Sequence, residues 1–150
     1  MVAFGNQLVQ VHIALRERLA VLRDDLSDGA LVADLRSHCL SFCAAVRRHH
    51  TAEDDGAFPV LAREHPELRP VLDELDRDHR IVAEALDSLA ALGDVDPAVL
   101  RRELDSVAAL LETHFTYEER KIADLLSALT GRLDAVDAEL LTRATTVPDL

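Results

Sequence analysis

Apolar side chains recur every three or four residues over most of this chain, the spacing of one helical face. The first run aligns Leu8, His12, Leu15, Leu19, Leu22 and Leu26, and Ser27-Asp28-Gly29 stops it. A second begins near Ala30 and reads Leu31, Leu35, Cys39, Cys43, Val46, His50, Asp54. Gly56 and Pro59 should loosen or kink it, and His65-Pro66 should close it, because a residue before proline avoids the helical region. The third starts near Pro70, carries Leu72, Leu75, His79, Val82, Leu86 and Leu89, and stops at Gly93-Asp94. Asp96-Pro97 then pairs an N-cap residue with a proline at the first helical position. The fourth stripe is Leu100, Leu104, Val107, Leu111, His114, Glu118, Ile122, Leu125 and Leu129, closed by Gly131. Beyond it, Leu133, Val136, Leu140 and Leu141 mark one short amphipathic segment before a polar end.

Long helical segments with short connections predict an all-α fold, an antiparallel up-down-up-down four-helix bundle. The bundle should occupy residues 1–131, with a short C-terminal helix and tail over 132–150. A helical repeat array is disfavoured, since the segments show no self-similarity at a fixed period. Composition agrees: aromatic residues are 3% of the chain, which suits helices better than strands.

A formal charge of −12 argues against nucleic acid and anionic membrane surfaces, both of which need clustered Lys and Arg. The N-terminal stretch lacks a basic region followed by a long apolar run, and no segment reaches transmembrane length, so a soluble, cytoplasmic protein is expected. Cys39 and Cys43 lie four apart on one helix face, a poor geometry for a disulfide. Buried, reduced thiols are the expectation.

Each of the four stripes contains a histidine: His12, His50, His79 and His114. One core histidine is ordinarily a satisfied structural residue. Four together, in an apolar core with few polar partners, are better satisfied by a shared metal. Two of them precede an acid by four residues, His50 before Asp54 and His114 before Glu118. Four residues advance about 400°, so each pair lies within roughly 40° of one face. Superposing "HTAEDDGAFPVL" on "HFTYEERKIADL" matches Asp54 with Glu118 and Glu53 with Tyr117. On that register His50 and Asp54 face the bundle axis, while His49, Glu53 and Asp55 are solvated. Tyr117 is a candidate hydrogen-bonder behind the ligands, His38 a polar flank, and His65 a solvated residue at a helix end.

These residues resemble the hemerythrin-like, or HHE cation-binding, domains over about residues 8 to 130: His12, "HHTAEDDGAFPVL", "DRDHRIV" and "HFTYEER". The resemblance implies a four-helix bundle around two non-haem iron ions, bridged by carboxylates and an oxo or hydroxo group. Carried over, Asp54 and Glu118 would bridge, His12 and His50 would hold one iron, and His79 and His114 the other. It also implies a small-molecule ligand, dioxygen, peroxide or nitric oxide. Oxygen-carrying members have a further histidine where this chain has Ala83. That departure favours redox or oxygen response over bulk oxygen carriage. A binding protein rather than an enzyme is expected, with weak peroxidase- or catalase-like turnover as the exception. The alternative is an iron-dependent regulatory or interaction module read by an unspecified protein partner. The Glu-x-x-His signature of ferritin-like bundles is missing, Asp76-x-x-His79 being the near-miss. Six inward N and O donors exceed what a tetrahedral zinc site needs.

Overall fold

The computed structural model describes residues 2–29, 32–93 and 95–150. Its elements are α1 (Phe4–Ser27), α2 (Val32–Ala52), a π-helical turn (Glu53–Ala57), α3 (Phe58–Glu64), a 3-10 turn (Pro66–Leu68), α4 (Arg69–Ala90), α5 (Pro97–Leu129) and α6 (Ala135–Ala144). Among the described residues there is no strand, and no helix is long and apolar enough to cross a membrane. Ala30 and Leu31, expected to open the second helix, and Asp94, expected in the turn after the third, lie outside the described residues.

The local signals act as their chemistry dictates. The Asp96 side chain accepts a hydrogen bond from the Ala98 amide at 2.8 Å and Pro97 opens α5. His65, before Pro66, leaves the helical region at φ −135°, ψ 76° and ends α3. The loosening expected at Gly56 and Pro59 takes a definite form: the helix widens into the π turn, and Pro59 follows directly after it, at the start of α3.

α1 packs against α5 and α2, and α4 packs against the same two helices. At its start α1 comes very close to α5. A Cβ on Gly5 would lie 2.0 Å from the Ala123 carbonyl oxygen, and the Gly5 amide donates to Ser127 Oγ at 3.1 Å. α6 folds back onto the π turn, with Leu140 against Gly56.

The apolar interior comprises two clusters. One gathers Val11 to Leu26 of α1, Leu35 to Val46 of α2, Val82 to Leu89 of α4 and Leu100 to Phe115 of α5. The other gathers Phe4 and Leu8 of α1, Ala57 to Ala62, Leu72 and Leu75 of α4, Ile122 to Leu129 of α5, and Leu141 and Ala144 of α6. The buried histidines sit where the two clusters meet: His79 between Leu75 and Val82, His12 beside Val11 at the near end of the first cluster, and His114 beside Phe115 at its far end. Cys39 and Cys43 are free and buried in the first cluster, and burial pushes the Cys39 thiol up to about 11.

Candidate metal centre

Between the clusters lies a layer of buried polar side chains: His12, His49, His50, Glu53, His79, His114 and Glu118. They form two groups, each able to present one ligand atom per residue within 4.8 Å of the others. His12, His49, Glu53 and Glu118 make one; His50, His79 and His114 make the second. The stripes correctly indicated the inward facing of His12, His50, His79, His114 and Glu118.

The facing of His49 and of the acids that open the π turn needs correction. Glu53, expected to be solvated, is 1% exposed, and His49, also expected outside, is 3% exposed. Asp54, expected on the axis, keeps 28% of its side chain exposed and joins neither group. The cause is the width of the face that α2 buries. Beside the stripe Leu35, Cys39, Cys43, Val46, His50 runs a second one, Phe42, Ala45, His49, Glu53, spaced three, four and four. The interior therefore receives both members of the His49-His50 tandem. The pairing of histidines changes with it, because His12 sits with His49, and His50 joins His79 and His114.

Each glutamate reaches both groups. Glu53 Oε1 lies 3.4 Å from His49 Nε2 and 3.4 Å from His79 Nε2. Glu118 Oε2 lies 3.8 Å from His12 Nε2 and 3.1 Å from His114 Nε2. Within the groups, His12 Nε2 and His49 Nε2 are 3.3 Å apart, and His79 Nε2 and His114 Nε2 are 3.1 Å apart. Phe115 stacks on His12 with ring centroids 4.1 Å apart, and Phe58 lies over His79 at 5.5 Å, so both imidazole planes are fixed by apolar rings.

Outside this layer, three histidines place Nδ1 against a carboxylate: His12 on Glu119 at 3.2 Å, His79 on Asp54 at 2.7 Å, His114 on Asp78 at 3.3 Å. Such contacts fix tautomer and ring orientation, leaving Nε2 turned inward. Arg16 donates to Glu119 at 2.9 Å and to Glu112 at 2.8 Å, which holds the first of them in place. Tyr117 does not join this arrangement; its hydroxyl bonds Glu74, away from the buried layer. His38 is exposed, and His65 pairs with Glu67 near the surface.

The electrostatics suit metal ligation. Burial holds the His49 imidazole down to about 4, and burial with the neighbouring His79 does the same for His114. His50 is held well below the ordinary histidine value by burial and by the histidines around it. Burial opposes the charge on His79 as well, but Asp54 and Glu53 outweigh it and raise that group to about 9. Burial alone would raise Glu53, yet the surrounding His49, His79 and His12 bring it below the usual carboxylate value. The decisive mismatch is one of partners: Glu53 Oε1, both Glu118 oxygens, His49 Nδ1 and His50 Nε2 are buried without a hydrogen bond. A buried carboxylate with no donor is costly. A cation in the layer would satisfy those carboxylate oxygens, so the residues fit a metal ion.

Comparison with known families matches residues 5–126 to the hemerythrin HHE cation-binding domain. No curated protein and no solved structure matches the chain. The match spans α1, α2, the π turn, α3, α4 and most of α5, and with them every residue of the buried layer. The chain belongs to the hemerythrin HHE cation-binding domain family.

Proposed function

We propose that this protein holds two iron ions and uses them to bind or react with dioxygen, peroxide or nitric oxide. One observation carries the reading: each buried glutamate touches a histidine of both groups, which is the placement required of a carboxylate shared by two cations. Glu53 and Glu118 are the bridging residues. His12 and His49 serve one ion, and His50, His79 and His114 the other. The scaffold is an antiparallel four-helix bundle. Its support is the alternation of the long helices, α1 and α4 passing from the second apolar cluster to the first and α5 returning.

Held by these residues, an iron pair would supply two-electron chemistry toward a small oxidant. The chain's own part is to build and guard that site. Glu119, Asp54 and Asp78 orient imidazoles through Nδ1, while Phe115 and Phe58 fix ring planes and exclude water. His49 supplies a fifth histidine, so Ala83 leaves no gap in the histidine count, and Ala83 gives no argument against reversible ligand binding. With the glutamates shared, the first group offers four protein donors and the second offers five. The chain would thus offer fewer donors on the His12–His49 side.

The test is metal content and visible absorption of protein purified from iron-replete cells. About two iron ions per chain, with bands that change on anaerobic reduction and on adding oxygen or nitric oxide, is the expected result. One zinc ion per chain, or iron with no response to any of the three ligands, would sink the reading.

A further inference from the structure

Of the three carboxylates that meet a buried histidine at Nδ1, one is shared with a cation. His12 Nδ1 lies 3.2 Å from Glu119 Oε2, and Arg16 Nη2 donates to that same oxygen at 2.9 Å. The guanidinium is held there by Glu112, which accepts from Arg16 Nε at 2.8 Å, and by the Phe115 ring 5.3 Å away. Phe115 stacks in turn on His12. Asp54 and Asp78 differ: among the described residues neither pairs with an arginine or a lysine, so His79 and His114 face carboxylates of undivided charge. His49, the other histidine of the His12 group, has no hydrogen-bond partner at Nδ1.

We propose that Arg16, acting through Glu119, weakens His12 as a metal donor and so makes the His12–His49 position the one that gives up its ion first. The inference rests on the two-ion reading above. An imidazole that gives its Nε2 lone pair to a metal carries its proton on Nδ1, and a charged acceptor there makes it a stronger donor. A guanidinium on the accepting oxygen offsets part of that charge. With 27% and 21% of their side chains exposed, Arg16 and Glu119 are screened by salt only in part. Arg16 also steadies Glu119, and its two roles have opposite signs. Losing the steadying contact alone would loosen Glu119 and speed ion release, whereas losing the charge alone would slow it.

The full chain is loaded with zinc as a diamagnetic ion, its metal content is measured, and release to excess chelator is followed. Two zinc ions per chain, leaving in a fast and a slow phase, are expected. After one equivalent is removed, ring-nitrogen NMR of labelled histidines should show His12 and His49 altered, with His79 and His114 unchanged. Arg16→Gln, which keeps an amide donor without the charge, should slow the fast phase about tenfold and leave the slow one alone. Arg16→Lys keeps the charge and should release zinc as the parent chain does. Glu119→Gln should speed the fast phase about tenfold or more, and adding Arg16→Gln to it should change nothing further, because the charge acts through Glu119. A single phase, the reverse order of histidines, or a fast phase unchanged or quickened by Arg16→Gln overturns the proposal. So does Arg16→Lys behaving like Arg16→Gln, or additive effects in the double variant. Metal content separates the failures. Two zinc ions without this pattern overturn the role of Arg16 alone, whereas fewer than two at saturating zinc overturn the two-ion reading with it.

Discussion

Glu53 and Asp54 are chain neighbours with opposite surroundings, and that difference can be measured. Glu53→Gln keeps the shape but removes the charge that faces His49 and His79, and should abolish metal retention at one or both positions. Asp54→Asn changes only the partner of His79 Nδ1, and should keep the metal with affinity lowered about 10- to 100-fold. Competition against a chelator reads both; equal losses would put Asp54 on the metal rather than behind it. The sequence could not make this distinction. His49-x-x-x-Glu53 and His50-x-x-x-Asp54 have identical spacing, and the apolar stripe leading to His50 selects the second. Only the parallel stripe through Phe42 and Ala45 shows that both registers face inward, and two alanine-sized or aromatic positions are a weak signal by themselves. His12, His79, His114 and Glu118 were legible because each continues a single unambiguous leucine stripe.

At the scale of elements, the helix starts and stops were written in short-range chemistry, as at Asp96-Pro97 and His65-Pro66. The π turn was legible only as a disturbance, because glycine and proline say that a helix will yield and not how. Its widened turn carries Glu53 at one end and Gly56 within, and α6 rests on it. A Cβ at Gly56 would stand 3.3 Å from Leu140, so Gly56→Ala should loosen α6 by about 1 kcal/mol, seen as faster amide exchange confined to Ala135–Ala144. Gly5→Ala is the severer change, because the obstacle is the Ala123 carbonyl, which cannot rotate aside. It should cost about 3 kcal/mol, or roughly 10 °C in Tm, by thermal denaturation. A fall of a degree or less would mean that α1 and α5 slide apart freely.

For the whole molecule, the buried layer makes stability depend on pH and on metal together. In metal-free protein, His49 and His114 are held near 4 against an ordinary value of 6.5, so the unfolded chain binds more protons between those limits. Stability from these groups is present above pH 6.5 and lost as pH falls toward 4. His79, raised to about 9, has the opposite sign: its contribution is full below 6.5 and lost as pH rises through 9. The Tm of the metal-free chain should therefore peak near neutrality and fall on both sides. Bound metal should raise Tm throughout and flatten the alkaline limb, since it replaces the proton on His79. An alkaline limb unchanged by metal would place His79 outside the site. The division of the aliphatic interior into two clusters has a mechanical consequence. Every long helix crosses from one cluster to the other through a plane of imidazoles and carboxylates that, without a cation, gives little cohesion. The ions then act as rivets through a joint, and stripping them should let the two ends melt as separate cooperative halves.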